Sequence, residues 1–369
     1  MRKDSPKRAQ NPIGDLTANA DSSLWVDREK LECCSVVPEA PDAATFSFVA
    51  PSGNLFKFEP GQFLTLELPV PGGPLYRTYT ISSSPSRPLS ISVTVKAQKD
   101  SIGTRWMLDS LRPGMQIKAI GPAGQFTLDT QNKKKYLFIS AGSGVTPTLS
   151  MTTYLYDRGT DIDVNIINCA RRPGEIIGYQ ALMAMAARVP TIKLAFIVEE
   201  DDPFQVWTGL RGRMNQIMIG IIAGDYLERD IYCCGPEPFM DAVREMLIGL
   251  GYDMARYNQE SFSAPAEEAE EIPGDDVTPD ETAAAQITFS GAGVTADCTE
   301  TDTILAVARS AGLNIASGCT FGVCGTCKIR KIRGEVHMVH NGGISEDDIS
   351  EGYILACCSK PVGQVEVDV

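Results

Sequence analysis

The sequence predicts a multidomain fold with three folded parts: an antiparallel β-barrel, an α/β domain with a parallel sheet, and a smaller C-terminal domain. Short alternating runs such as Phe63–Leu68, punctuated by Gly and Pro, fill residues 27–130 and are typical of an antiparallel barrel or sandwich. Buried strands then alternate with helical segments within residues 131–262, which indicates a parallel sheet. An acidic stretch at residues 263–285 separates these parts from residues 286–369.

The composition is that of a soluble globular protein without a nucleic-acid partner. A chain of 369 residues can form two to four domains, and 43% hydrophobic with 22% charged residues is ordinary for such proteins. The net charge of −14 argues against nucleic acid, which binds to basic surfaces. No apolar run approaches the roughly 20 residues of a membrane span. Residues 1–26 form a polar tail without a secretory signal, and 11 cysteines without an export signal favour the cytoplasm.

In the predicted barrel, one strand carries three candidate ligand-binding side chains. If the segment is a strand, Arg77 and Tyr79 face the same side. Arginine suits a phosphate by charge and geometry, tyrosine offers a stacking face, and the Thr80 hydroxyl can reach a ring nitrogen. An ordinary strand with a solvated arginine and a core tyrosine remains an alternative. Downstream, Ser101–Trp106 opens a predicted helix whose N-terminus would form a second phosphate cradle.

The α/β part is predicted from four buried strands separated by helical patterns. The strands are Tyr136–Ile139, Val164–Ile167, Leu194–Val198 and Ile231–Cys233, and the helical patterns cover residues 147–157, 178–188 and 237–250. The first strand leads into Ser140–Pro147, where glycines before a helix let the backbone approach a pyrophosphate. A plain tight turn explains this segment equally well. Cys233–Met240 follows a later strand, and turns at the carboxyl ends of parallel strands form the ligand crevice of such sheets.

The acidic stretch at residues 263–285 reads as a disordered linker. It carries eight acidic residues, no basic residue and three prolines. Repulsion between the acids should extend it, and a coil of this length spans about 25 Å. We therefore expect residues 286–369 to be tethered to the other two parts.

Four cysteines in the C-terminal part have the spacing C-x4-C-x2-C-x29-C: Cys319, Cys324, Cys327 and Cys357. The first three lie in a Gly-rich run, which forms a loop that can wrap an inorganic core. This is the ligand spacing of a plant-type [2Fe-2S] ferredoxin. A zinc site usually takes its ligands as two close pairs, and a disulfide framework does not suit a long chain without a signal peptide. Cys358 is a rival fourth ligand, although the interval and the ferredoxin-like run that ends at Cys357 favour Cys357.

The ordered set of motifs resembles the ferredoxin–NADP reductase superfamily, with a C-terminal ferredoxin of the α+β, β-grasp kind. The motifs are R-x-Y-T at 77–80, a Gly-Thr helix start at 103–104, G-P-A-G-Q-F at 121–126, G-S-G-V-T-P at 142–147 and C-G-P-x-x-F-M at 234–240. With the C-terminal ferredoxin, the chain is similar to the reductase components of Rieske-type oxygenases. The run from Gly334 to Gly343 resembles the reductases of glycine betaine monooxygenase and related quaternary-amine demethylases. The resemblance covers residues 27–369.

For the barrel, the resemblance implies that residues 27–130 bind FAD. Arg77 would hold the flavin phosphates, Tyr79 would stack on the isoalloxazine ring, and Thr80 would lie near flavin N5. Gly103 and Thr104 would bind the FAD pyrophosphate.

For residues 131–262, the resemblance implies a nicotinamide nucleotide site. It would be lined by Gly142, Gly144, Thr146 and Pro147. Cys234 would lie beside the nicotinamide, and Glu260 and Phe262 would close the other face of the flavin. Thr80, Cys234 and Glu260 are thus the candidate catalytic residues.

The implied function is electron transfer from NADH through FAD and the [2Fe-2S] cluster to a Rieske-type oxygenase, with a quaternary amine such as glycine betaine as the oxygenase substrate. Arg171 and Arg172 follow the second strand of the parallel sheet, so charge alone would permit NADPH. A reductase for a redox-stress acceptor of the hybrid-cluster type is an alternative. A non-catalytic electron-transfer subunit is another, although a mere carrier would not need a nicotinamide site.

Overall fold

The computed structural model describes residues 24–27, 29–97, 101–130, 134–159, 162–262, 283–319, 322–340 and 343–369. Most of the predicted acidic linker and of the predicted polar tail therefore lie outside the described residues. Within the described residues, no helix is both long and apolar enough to cross a membrane.

The first part is an antiparallel sheet closed into a barrel. Its strands are β1 (Leu31–Ala40), β2 (Ala43–Val49), β3 (Phe63–Val70), β4 (Gly73–Thr80), β5 (Ile91–Lys96) and β6 (Gln116–Ala123). They lie in the order β4-β3-β6-β1-β2-β5, and each neighbouring pair is antiparallel. An antiparallel bridge between Ile81, just after β4, and Val93 of β5 joins the two ends of the sheet. The predicted barrel is confirmed.

Alternation along the strands fills the interior of the barrel. Leu64, Leu66 and Leu68 of β3 are fully buried in the core, while Thr65 lies on the other face of the same strand. Helix α1 (Ile102–Ser110) packs beside β3 and begins at the predicted place, with the Ser101 side chain accepting a hydrogen bond from the backbone of the first turn.

The second part is a parallel sheet with helices on both faces. Its strands are β7 (Lys135–Ala141), β8 (Asp163–Ala170), β9 (Ile192–Val198), β10 (Leu210–Arg211), β11 (Asp230–Cys234) and β12 (Tyr257–Glu260), in the order β10-β9-β8-β7-β11-β12. The helices are α2 (Val145–Arg158), α3 (Tyr179–Arg188), α4 (Gln216–Ile222) and α5 (Glu237–Gly249). Apolar residues of α2 and α3 share one core, and those of α4 and α5 share another. The four predicted strands and three predicted helices are confirmed.

The strand order reverses at β7, because β8 lies on one side of it and β11 on the other. A ligand crevice forms outside the carboxyl ends of the strands at such a switch point. The turns after β7 and β11 carry the two Gly-containing motifs singled out in the sequence.

The barrel and the parallel domain are joined by polar contacts. Arg87 donates two hydrogen bonds of 2.8 Å to the Asp157 carboxylate, and the Ser150 hydroxyl donates to the Ser83 carbonyl at 2.7 Å. A bidentate arginine–carboxylate pair fixes geometry as well as contributing attraction. These contacts therefore hold the strand end of β4 in a defined position relative to α2.

The third part is a mixed sheet with short helices, and the predicted α+β domain is confirmed. Its elements are β13 (Ala284–Phe289), β14 (Val294–Thr299), α6 (Ile304–Ser310), β15 (Lys328–Met338), α7 (Glu346–Ser350), β16 (Tyr353–Leu355) and β17 (Ser359–Asp368). The strand order is β14-β13-β17-β15-β16, with β13 and β17 parallel and the other neighbours antiparallel. Helix α6 packs its apolar side on this sheet to form a separate core.

Candidate active site

One cavity of about 660 Å³ is lined by all three parts of the chain. A cavity of this size is in the range that holds a cofactor-sized ligand. Residues singled out from the sequence line it from each part: Arg77, Tyr79, Thr80 and Thr104 of the barrel, Thr146, Glu260 and Phe262 of the parallel domain, and Cys319 and Cys324 of the C-terminal domain. The structure thus brings together residues as far apart in the chain as Arg77 and Cys324.

Strand β4 presents an arginine and an unpartnered hydroxyl to the cavity. Arg77 is exposed, donates to the Tyr76 carbonyl at 2.8 Å, and has no acidic partner among the residues that the structure describes. The Tyr79 hydroxyl is buried without a hydrogen-bond partner, and burial raises its pKa. Thr80 is buried at the end of the strand. An available cation and an orphaned hydroxyl in one cavity suit an anionic, hydrogen-bonding ligand.

The N-terminus of helix α1 lies next to this arginine. An added Cβ on Gly103 would meet Leu75 at 3.1 Å and the Arg77 side chain at 3.2 Å, so a glycine lets the helix approach β4 closely. Thr104 is buried and lines the cavity one residue further on. A helix N-terminus beside an arginine is a favourable place for a phosphate group.

The Gly-containing turn after β7 packs against the turn after β11. An added Cβ on Gly144 would lie 2.2 Å from the Cys234 carbonyl oxygen, so a side chain there would collide with backbone. Thr146 is buried, lines the cavity and donates to the Ser143 carbonyl at 3.0 Å. Pro147 is buried in the first turn of α2, and Gly142 is half-buried with a positive φ of 56°. Of these predicted nucleotide-site residues, Thr146 is the one that lines the cavity.

Cys234 and Glu260 lie side by side at the carboxyl edge of the parallel sheet. The register of β11 and β12 pairs the two residues. Cys234 is 1% exposed, and burial raises the pKa of its thiol well above the usual value. Glu260 as a residue is half-buried, but its Oε2 atom is buried without a hydrogen-bond partner, and burial raises the pKa of the carboxyl to about 8. Phe262, two residues later, is 45% exposed at the rim.

The four predicted cluster cysteines lie close together as two pairs. The Cys319 and Cys324 amides each donate to the other residue's sulfur, at 3.2 and 3.4 Å, and the Cys357 amide donates to Cys327 Sγ at 3.4 Å. The Cys357 thiol also lies within hydrogen-bonding reach of Cys319, which links the pairs. Hydrogen bonding to Cys319, followed by burial, raises the pKa of Cys324.

This arrangement fits a two-iron cluster. Among the described residues, no three His, Cys, Asp or Glu side chains surround one point as a single metal ion requires. A [2Fe-2S] cluster takes four thiolates, two on each iron, and so needs the wider, paired arrangement seen here. The Cys319–Cys324 pair lines the cavity, whereas Cys327 and Cys357 are buried behind it. Cys358 is half-buried, beyond the four.

The flavin and nicotinamide expectations also fit the residues present. Two residues of the cavity wall, Tyr79 and Glu260, each carry a buried polar atom without a hydrogen-bond partner, the Tyr79 hydroxyl and Glu260 Oε2, as is common where a ligand completes a site. Sequence reasoning assigned no role to Lys96, Gln125, Phe126 or Ser143, which also line the cavity. Gln125 and Phe126 are the last two residues of the G-P-A-G-Q-F motif. Lys96 falls on the outward-facing positions of the alternating pattern in β5. The sequence therefore contained a signal for each of these three residues.

Both arginines that follow β8 are paired with carboxylates. Arg171 lies 3.1 Å from Glu175, and Arg172 lies 2.8 Å from Glu200, which follows β9. The positive charge of these two arginines, which could attract the 2′-phosphate of NADPH, is therefore already balanced by carboxylates at this edge of the sheet.

The fold and the site define an oxidoreductase that joins a flavin barrel, a nicotinamide nucleotide domain and a ferredoxin domain. Three family models match the corresponding residues: an oxidoreductase FAD-binding domain at 34–128, an oxidoreductase NAD-binding domain at 138–245, and a 2Fe-2S iron-sulfur cluster binding domain at 287–362. The expected cofactors FAD, a nicotinamide nucleotide and a [2Fe-2S] cluster are therefore confirmed at the level of these domains.

Curated relatives match over almost the whole chain. The stachydrine N-demethylase reductase subunit of Rhizobium meliloti strain 1021 is 62% identical over 96% of this chain and 100% of its own length. The glycine betaine monooxygenase reductase subunit of Pseudomonas aeruginosa strain UCBPP-PA14 is 41% identical over 94% of this chain and 97% of its own length. The chain belongs to this family of reductase subunits with FAD-binding, NAD-binding and 2Fe-2S domains.

A solved structure shares the fold. Phthalate dioxygenase reductase, described as a modular structure for electron transfer from pyridine nucleotides to [2Fe-2S], aligns with a TM-score of 0.59 at 23% identity over 94% of this chain and 100% of its own. At this identity the likeness concerns the fold alone.

Proposed function

We propose that the chain uses NADH to reduce a bound flavin and delivers the electrons one at a time, through its [2Fe-2S] domain, to a Rieske-type oxygenase that demethylates a betaine. The observation that carries the proposal is the composition of the cavity. Candidate flavin residues, a candidate nicotinamide residue and two cluster cysteines line the same 660 Å³ space. Donor, intermediate carrier and acceptor can therefore meet without a large movement of the chain.

In the barrel, the proposed work of the residues is to bind and orient FAD. Arg77 and the α1 N-terminus at Gly103 and Thr104 would hold the phosphates, because both offer positive charge to an anion. Tyr79 would stack on the ring system and satisfy its own orphaned hydroxyl. Thr80, buried at the strand end, would place a hydroxyl beside the reacting edge of the ring.

In the parallel domain, the proposed work is to hold the nicotinamide against the flavin. A bound flavin accepts two electrons as a hydride and releases them singly, which matches a nicotinamide donor to a one-electron cluster. Gly142, Gly144, Thr146 and Pro147 would shape the nucleotide side of the crevice. Cys234 and Glu260, both with raised pKa values, would present neutral groups beside the site of hydride transfer. Phe262 would cover the outer face.

We propose NADH rather than NADPH as the donor because of the charges after β8. A 2′-phosphate would approach Arg171 and Arg172, but Glu175 and Glu200 already pair with these side chains. Glu199, Asp201 and Asp202 add further negative charge in the next turn. An incoming phosphate would have to break an ion pair and approach acids, so a free 2′-hydroxyl is the better fit.

The relatives' names support the choice of electron acceptor. Stachydrine N-demethylase and glycine betaine monooxygenase are named for betaines, which are carboxylates that carry a quaternary ammonium group. We propose a betaine-demethylating oxygenase as the partner of this chain as well. We also propose that the reaction takes place in the cytoplasm, and that the chain divides at residues 26, 130, 262 and 285 into tail, FAD, NAD, linker and ferredoxin segments.

The test is a reconstituted demethylation. Purified protein, NADH and oxygen are combined with the oxygenase component of a stachydrine or glycine betaine system and its betaine. We expect NADH oxidation that depends on both oxygenase and betaine, with one formaldehyde released per NADH. A chain with Cys324→Ser should support neither. Equal NADH oxidation with and without the oxygenase, and no formaldehyde, would contradict the proposed acceptor.

A further inference from the structure

The cluster loop touches the barrel at Gly318, one residue before the first cluster cysteine. An added Cβ on Gly318 would lie 2.6 Å from Thr65 Cγ2, 2.7 Å from Thr65 Oγ1 and 2.6 Å from Thr78 Oγ1. All three distances are too short for real contacts, and all three atoms belong to a different domain. Gly318 therefore packs directly against the outer face of the barrel, with no room for a side chain at this position.

A glycine is required at position 318 because there is no space for a side chain, and not because of the backbone conformation. Gly322 and Gly325 in the same loop have positive φ angles of 71° and 69°, whereas Gly318 does not adopt the left-handed region. An alanine at Gly318 would thus be unstrained in its own backbone and would disturb the domain contact alone.

The barrel side of the contact is stiff. Thr65 and Thr78 are direct partners in the register of β3 and β4, and their hydroxyls lie 3.0 Å apart. Thr65 is only 1% exposed. Threonine is branched at Cβ and has few rotamers to choose from, so neither side chain can easily turn away from an added methyl group. The pair forms a firm platform beneath the loop.

A second contact links the platform to a cluster cysteine. The Thr326 hydroxyl donates to Thr65 Oγ1 at 3.2 Å. The backbone amide of Thr326 also lies within hydrogen-bonding reach of the Cys324 sulfur. Thr326 thus connects a cluster cysteine, through its amide, to the Thr65–Thr78 hydroxyl pair, through its hydroxyl, and Thr78 belongs to the β4 strand that carries Arg77 and Tyr79.

From these contacts we infer that Gly318 and the Thr65–Thr78 pair form a docking seat that positions the cluster loop for electron transfer from the flavin cavity. The seat places Cys319 and Cys324 on the cavity wall, and a larger residue at Gly318 would lift both away from it. Gly318 is a positioning residue. The inference rests on the proposed function, since it concerns the step between flavin and cluster.

The direct test is the rate of cluster reduction in Gly318→Ala. The variant and the parent are mixed with NADH under anaerobic conditions, and flavin and cluster absorbance are followed separately by stopped flow. We expect unchanged flavin reduction and a severalfold slower cluster reduction, because the added methyl group would move the loop that carries Cys319 and Cys324 away from the cavity. The visible and electron paramagnetic resonance spectra of the cluster should match those of the parent.

A rescue variant separates docking from damage to the loop. Thr65→Ala with Thr78→Ala removes the three atoms that lie nearest to the added methyl group. If the seat sets the rate, Gly318→Ala combined with both barrel substitutions should transfer electrons faster than Gly318→Ala alone. No recovery, or an altered cluster spectrum in Gly318→Ala, would assign the defect to the loop itself and overturn the inference.

An independent readout follows the contact without turnover. Thr65→Cys places a thiol at the buried platform, and its labelling by a thiol reagent is measured by mass spectrometry of the β3 peptide. We expect slow labelling when Gly318 is present and faster labelling with Gly318→Ala, since the loop no longer covers the platform. Equal labelling rates of Thr65→Cys with and without Gly318→Ala would contradict the proposed docking contact. If the parent protein itself failed to oxidise NADH, the proposed function would fail instead.

Discussion

Cys234 and Glu260 are register partners at the carboxyl ends of β11 and β12, and both are neutral near pH 7. Burial raises the pKa of the Cys234 thiol well above its usual value and that of the Glu260 carboxyl to about 8. The Glu260 Oε2 atom has no hydrogen-bond partner. In the proposed function, Glu260 on the cavity wall and Cys234 beside it are neutral groups near the site of hydride transfer, and ionising either would oppose that transfer.

The pH dependence of hydride transfer should follow Glu260. Because the carboxyl loses its proton as the pH rises through about 8, kcat/KM for NADH with a two-electron dye should fall above that pH. Glu260→Gln keeps a neutral group of similar shape at every pH and should remove this fall. A decrease in kcat/KM of equal size near pH 8 in the parent and in Glu260→Gln would show that another group titrates there.

The same carboxyl should also make the stability of the protein depend on pH. Its pKa is raised from 4.5 to about 8, so between these values the folded state keeps a proton that the unfolded state releases. The free energy of unfolding should thus decrease as the pH rises, by about 1.4 kcal/mol for each pH unit in this window. Thermal unfolding of parent and Glu260→Gln at pH 6, 7 and 8 measures the difference, and parallel curves would contradict it.

Flavin affinity should depend on Arg77. Arg77→Ala removes charge-assisted hydrogen bonds worth about 1.5–3 kcal/mol each, so the Kd for FAD should rise at least tenfold while NADH binding changes little. Arg105→Ala is the matched control, because Arg105 lies on α1 with an exposed partner, Asp109, and does not line the cavity. Full flavin content and an unchanged Kd in Arg77→Ala would refute the phosphate role.

Sequence patterns were sufficient for the three folded parts, and together with the family resemblance they predicted nine of the 23 residues that line the cavity. Alternation predicted the barrel strands, and long buried runs predicted β7, β8, β9 and β11. The two-residue β10 and four-residue β12 are too short to show a period, so the pairing of Cys234 with Glu260 could not be derived from local patterns.

Contacts between domains were beyond the reach of local patterns. Gly318 reads as one more loop glycine in the sequence, and only its distance to Thr65 and Thr78 reveals a close domain contact. Likewise, Arg171 and Arg172 suggested a site for a 2′-phosphate until the fold placed Glu200 beside Arg172. Both features depend on residues that meet only after the chain has folded.

The choice between NADH and NADPH should respond to Glu200. Glu200→Gln frees Arg172 and removes one negative charge near the expected ribose, so kcat/KM for NADPH should rise by about fivefold relative to NADH, as expected for an exposed pair worth about 1 kcal/mol. Arg105 pairs with Asp109 on helix α1, outside the parallel domain, so Asp109→Asn controls for the loss of one negative charge. An unchanged ratio in Glu200→Gln, or an equal rise in Asp109→Asn, would place the discrimination elsewhere.

The most direct test of the whole account is anaerobic reduction by NADH, compared between the parent and Cys324→Ser. In the parent, NADH should bleach the flavin and produce the electron paramagnetic resonance signal of a reduced [2Fe-2S] cluster. Cys324→Ser removes one of the two cavity-facing cysteines and should lose that signal while still bleaching the flavin and reducing a two-electron dye at nearly the parent rate. A full cluster signal in Cys324→Ser, or a parent whose cluster stays oxidised while its flavin is reduced, would contradict the path from NADH through flavin to cluster.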